Sequence, residues 1–176
     1  MTGIRWWLLG EDPEHERFAL ELARRLGLNK RPVNVVIAPA GAGAASAFVL
    51  KRYAHEVRVT IRRRPGERVA IIVMIDGDNV GLQKRKEQLE ESLREAGEMT
   101  RQHEEPIVIL VPTWSVETWL LPRSPDVVES MDMKPRMRSP QLEHFEGAAR
   151  RVVTPDGDEP LVSLKDASHE VKRIPD

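Results

Sequence analysis

The chain has 176 residues, a length that suits one domain burying roughly 70% of its unfolded surface. It contains no cysteine, which excludes disulfides, thiolate metal sites and a cysteine nucleophile. Its 27 basic and 28 acidic residues nearly cancel, so net charge neither demands nor forbids a nucleic-acid partner. The longest apolar runs, such as Val69–Ile75 and Ile107–Val111, fall far short of the ~20 residues that cross a bilayer. Met1–Gly10 lacks the charged start, long apolar core and cleavage site of a secretion signal, so a cytoplasmic protein without a membrane partner is expected.

Ile4–Leu9 is a short apolar run closed by Gly10, a first strand. Asp12–Leu28 reads as an amphipathic helix: Asp12 caps it, Pro13 suits its first position, and Phe18, Leu22, Ala23 and Leu26 recur at helical spacing. Val33–Ala38 is a second strand, Pro39–Gly43 a loop, and Ala44–Val57 a helix burying Ala44, Phe48 and Tyr53. Val57–Arg64 alternates as a strand would, up to the Pro65-Gly66 turn. Val69–Ile75 is apolar throughout, as a central parallel strand covered on both faces should be. Gln83–Ala96 is a charged helix with a narrow stripe of Leu82, Leu89 and Leu93. Ile107–Val111 is another buried strand, followed by a short helix at Ser115–Leu121. Arg123–Pro140 reads as an extended loop or lid, Gln141–Val153 as a helix, and the segment from Thr154 onward as a weakly structured tail beyond a single domain of residues 1–153. The alternation of strands and helices predicts a Rossmann-like α/β fold, a mainly parallel sheet with helices on both faces.

The motif that carries chemistry is Asp76-Gly77-Asp78 at the end of the best strand. In open α/β sheets ligands bind beyond the carboxyl ends of the strands, and two carboxylates at i and i+2 there can share one hard cation. The intervening Gly77 permits a backbone that a larger residue would resist. The bland reading is a turn and a helix cap. Against it, Glu11 follows the first strand and Glu117 lies just beyond the fourth; on neighbouring strands these acids would converge and repel, and a cation or proton would be needed among them. Of five scattered histidines, none at metal-binding helical spacing, His15 alone follows the first acid closely enough to take part.

This arrangement resembles the TOPRIM fold, whose signature is a glutamate after the first strand and a D-x-D after a later one; the matching residues are Glu11, Asp76 and Asp78. Pro112–Leu121 (PTWSVETWLL) is similar to the P-x-x-E-x-W segment of short stand-alone TOPRIM-like proteins related to OLD-family and RloB-like defence nucleases, with Glu117 the matched acid and Trp119 a packing residue. The loop Ala40–Gly43 is similar to a glycine loop in those proteins. The resemblance spans roughly residues 4–122, and it departs from the usual Glu-Gly order, since the chain has Gly10-Glu11. It implies hydrolysis of phosphodiesters by a nuclease using Mg2+ or Mn2+, with Asp76 and Asp78 holding metal and Glu11 as a ligand or general acid/base. Glu117 joins them as a candidate catalytic acid. The implied partner is DNA or RNA, in antiphage defence.

A basic wall would hold the substrate backbone. Candidates are Arg62, Arg63, Arg64, Lys84, Arg85 and Lys86, with Lys134, Arg136 and Arg138 in the loop, and Trp114 is the best placed of four tryptophans to stack a base. Arg62–Arg64 could equally be a solvated edge. Other readings stay open. A silent TOPRIM-like subunit would serve as an interaction module for an ATPase partner, and self-association is open as well. Asp76–Val80 also fits a haloacid-dehalogenase phosphatase, and Ile75–Asn79 resembles the opening of PIN-like ribonucleases, but those motifs open their domains and two strands precede this one. A glycosyltransferase D-x-D would need a larger chain. No phosphate-binding G-x-x-x-x-G-K-[ST] loop occurs.

Overall fold

The structure, a computed structural model, describes residues 3–41, 43–120, 140–154 and 161–175. Four strands, β1 (Arg5–Gly10), β2 (Asn34–Ile37), β3 (Val69–Met74) and β4 (Ile107–Leu110), form one sheet in the order β2-β1-β3-β4, every pair parallel. The crossovers run through α1 (Pro13–Arg25), α2 (Ala45–Val57) and α3 (Leu82–Glu95). After β4 come α4 (Glu117–Leu120), α5 (Leu142–Val153) and α6 (Val162–Glu170). This is the α/β architecture that the alternating pattern predicts. Among the described residues no helix is long and apolar enough to cross a membrane.

Each strand feeds both faces, which is why the central ones read as unbroken apolar runs. Trp6, Leu8, Ala70, Ile72 and Met74 enter one core with Phe18 and Leu22 of α1, Trp119, and Phe145 of α5. Trp7, Leu9, Ile71, Val73 and Ile75 enter a second core with Val49, Tyr53 and Val57 of α2 and Leu89 and Leu93 of α3. Trp6 and Trp119 are fully buried and donate their indole N–H groups to Asn29 O and Ser163 Oγ at 2.8 and 2.9 Å.

Three expectations need correction. Val57–Arg64 does not form a strand: Arg58–Arg62 continue α2 as a π-helical turn. Nothing stops the helix before Pro65-Gly66, and the turn buries Thr60 and Ile61 while Arg62 reaches across to Glu98 and Glu105. Ala44 is exposed and Phe48 half-buried, while Tyr53 is buried as expected.

The third correction lies after Thr154. Residues 162–170 form a docked helix rather than weak structure. Ser163, Leu164 and Ala167 are buried, Ser163 Oγ accepts from Thr113 Oγ1 at 3.0 Å, and Glu170 Oε2 accepts the Ile109 N–H at 3.3 Å, covering the edge of β4. The expected lid at Arg123–Pro140 falls, apart from Pro140, outside the described residues.

Candidate metal centre

β1 and β3 are neighbours in the sheet, so the residues that follow them meet at its carboxyl edge. Glu11 leaves β1 and Asp76 follows β3; both are buried, at 8% and 1% exposure. The Glu11 carboxylate accepts the Asp76 backbone N–H at 2.7 Å. Asp12 caps α1 as expected, its Oδ1 accepting the His15 N–H at 3.0 Å. That cap sets the first helical turn and swings the His15 ring back toward the sheet. The ring is fully buried: Nδ1 accepts the Glu11 backbone N–H at 3.1 Å, and Nε2 lies 2.9 Å from Asp76 Oδ1. Gly10 leaves room for this, because a Cβ there would meet His15 Cβ and Ile37 Cδ1 at 3.1 Å.

The D-x-D turn is held against the loop after β4. Gly77 N–H donates to Pro112 O at 2.9 Å and Asp78 N–H to Trp114 O at 3.1 Å. A Cβ on Gly77 would sit 2.6 and 2.7 Å from the Thr113 and Pro112 carbonyl oxygens. The glycine is therefore required for close approach, and it is Asp78, not Gly77, that adopts a left-handed φ of 44°. Aspartate is among the residues that tolerate that region. Arg85 of α3, buried, donates through Nε to Asp76 O at 2.8 Å and lies 3.4 Å from Asp78 Oδ2. It serves the carboxylate turn itself rather than a wall for substrate.

The electrostatics follow from too many acids in too little water. Burial, then the Asp76 charge, pushes the Glu11 carboxyl up to about 7, and Asp78 adds to the push. Burial pushes the His15 pKa down, while its hydrogen bond to Asp76 and the surrounding carboxylates pull it up by more. One contact resists the second proton: an imidazolium would aim Nδ1–H at the Glu11 N–H. One ligand atom each from Asp12, His15 and Asp76 lies within 4.8 Å of the others, a spacing at which a metal ion could be held.

Of the expected site residues, Glu11, Asp76 and Asp78 are brought together. Glu117 is not joined to them: it opens α4, half-buried, and forms no hydrogen bond or ion pair with the cluster among the described residues. Arg62 is committed to Glu98 and Glu105 at 3.0 and 2.8 Å, and Lys86 to Asp166 and Glu170 at 2.6 and 2.9 Å, so neither offers a free cation to a phosphate. Arg63 and Lys84 are exposed, and Trp114 is half-buried at the site loop. Arg136, with Lys134 and Arg138, lies outside the described residues. Asp12 was legible only as a cap; the signal that it could also face a metal is the spacing Glu11, Asp12, His15 around one helix start. No protein-family profile, curated protein or solved structure matches this chain.

Proposed function

We propose that this protein hydrolyses nucleic-acid phosphodiesters with Mg2+ or Mn2+, as a nuclease of TOPRIM-like type acting in antiphage defence. The observation that carries the reading is the buried convergence of Glu11 and Asp76, flanked by Asp12 and Asp78, with Arg85 held against the Asp76–Asp78 turn. A carboxyl pushed to about 7 marks a site short of positive charge, and oxygen donors of this kind suit a hard dication. Asp76 would be the central ligand, with Asp12, Glu11 and Asp78 around it. A divalent cation there supplies an activated water and stabilises charge on the phosphate.

The chain's own groups do the rest. Arg85 and the Pro112–Trp114 carbonyls fix the D-x-D turn, and the first turn of α1 fixes Glu11 and Asp12. Glu11, balanced near neutrality, is suited to take or give a proton at its carboxyl oxygen. Exposed Lys84, at the start of α3, is suited to hold the substrate backbone.

The test is cleavage of supercoiled plasmid, single-stranded DNA and RNA with Mg2+, Mn2+ or EDTA, beside the Asp76→Ala/Asp78→Ala protein. Metal-dependent cleavage lost in the variant is the expected result. A second reading, a silent subunit that recruits an ATPase partner, is favoured by the pairing of Arg62 and Lys86, which thins the basic wall. No cleavage by wild type, with Mn2+ still raising its Tm, would support that reading; neither cleavage nor a metal effect would leave the cluster a structural turn.

A further inference from the structure

The hydrogen-bonding capacity of His15 is fully accounted for within the centre. A neutral imidazole has one N–H and one lone pair. The lone pair of Nδ1 faces the Glu11 backbone N–H at 3.1 Å. The ring proton must then sit on Nε2, where it is donated to Asp76 Oδ1 at 2.9 Å. Ligation through Nε2 would require that nitrogen to lose its proton, and the proton could not move to Nδ1 without confronting the Glu11 N–H. Carboxylate oxygens are not limited in this way. Each carries two lone pairs, so Asp12 and Asp76 can accept a hydrogen bond and still ligate.

We infer that His15 is a positioning residue for Asp76 and not a metal ligand, so that the cation this centre takes is surrounded by oxygen alone. The inference rests on the metal reading above and deepens it: it excludes the imidazole from the ligand set although His15 lies within ligating distance of Asp12 and Asp76. A metal-bound carboxylate is commonly held by such an outer hydrogen bond. Without imidazole the centre has no nitrogen donor of the kind that favours Zn2+, Ni2+ or Cu2+, and Mg2+ or Mn2+ is the matching class. The geometry around the ring supports the assignment from three sides. Asp12 caps the helix turn that carries His15, Gly10 gives the ring its room, and the ring is sealed from water.

The test uses the whole chain labelled with 15N-histidine. Long-range 1H–15N spectra of the metal-free protein should show His15 protonated on Nε2 and bare on Nδ1. Mn2+ is then added, and pulsed EPR should show no coupling to a directly bound imidazole nitrogen. His15→Ala should weaken Mn2+ binding by roughly 10–100-fold, the range for loss of an outer-shell partner, and His15→Gln, which keeps a donor, should restore most of it. A proton on Nδ1, or a directly coupled histidine nitrogen, overturns the inference. Should no Mn2+ bind while the Nε2–H tautomer is present, the metal reading itself falls and His15 becomes a structural tie.

Discussion

Glu11 and Glu170 are the same residue type, buried to the same degree, at 8% and 6% exposure, and their carboxyls are pushed in opposite directions. For both, burial is the largest influence and acts upward. At Glu170 it is outweighed: Arg101 lies at 2.5 Å and Lys86 at 2.9 Å, Arg173 at 3.5 Å, and the pKa falls below the ordinary 4.5. At Glu11 the Asp76 charge adds to burial and outweighs the pull of the Asp76 N–H and of His15, and the pKa rises to about 7. The difference separates a charge that holds the fold together from one that the fold holds at a cost. A buried acid answered by cations is a structural clamp; a buried acid pushed up by neighbouring acids is where the proposed cation would act.

The largest effect is expected at the clamp. Glu170→Ala leaves Arg101 and Lys86 without their shared partner and uncovers the Ile109 N–H, and should cost about 3–5 kcal/mol in chemical denaturation. A loss under ~1 kcal/mol would mean the clamp is screened like a surface pair and the contrast fails. The pH dependence has a fixed sign. A lowered carboxyl stabilises the fold above about pH 4.5, and that contribution drains as pH falls through the folded value, so Glu170→Gln should flatten the acid limb of the Tm profile.

Glu11→Gln should act the opposite way. With its folded pKa raised, Glu11 costs nothing below about pH 4.5 and costs progressively more as pH rises toward 7. In EDTA at about pH 8 the Gln variant, which keeps an acceptor for the Asp76 N–H, should be more stable by up to about 3 kcal/mol, and the rise in Tm expected of wild type with Mn2+ should be lost. Destabilisation at every pH would show Glu11 to be structural.

Gly77→Ala sharpens the contrast from the backbone side. The new methyl would press on two carbonyl oxygens of the Pro112–Thr113 loop, and should cost about 1–3 kcal/mol while shrinking the Mn2+ shift, because Asp78 moves with the turn. An unchanged Mn2+ shift would detach the turn from the site.

The four strands, helices α1, α3 and α5 and the meeting of Glu11 with Asp76 were legible because they depend on local periodicity and on strand ends in a parallel sheet. The reason for Gly77 was not: sequence suggests backbone freedom, whereas the constraint is a loop 35 residues away in the chain. Glu117 read as a site acid because it follows β4, but α4 begins only after the chain has turned along the site loop. The helix at 162–170 was missed because its stability is tertiary. Its apolar stripe is short, and Glu170 and Ser163 read as polar surface until Arg101, Lys86 and Trp119 are placed around them. Likewise Arg62 and Lys86 look like any exposed cations in sequence, since their partners lie 36 to 84 residues away.

That distinction among cations gives the finest test. Arg62 holds Glu98, Glu105 and the Met99 carbonyl, so Arg62→Gln should lower stability by about 1–2 kcal/mol and leave nucleic-acid affinity unchanged. Lys84, largely exposed and 3.4 Å from an equally exposed Glu87, should show the reverse. Lys84→Gln should alter stability by less than about 0.5 kcal/mol, since exposed pairs contribute little. If it contacts a phosphate, the variant should weaken binding evenly across sequences and reduce the slope of log affinity against log salt by about 1. A stability loss at Lys84 equal to that at Arg62, or an unchanged slope, would move the phosphate wall off α3 and leave Arg63 as the exposed basic residue to test next.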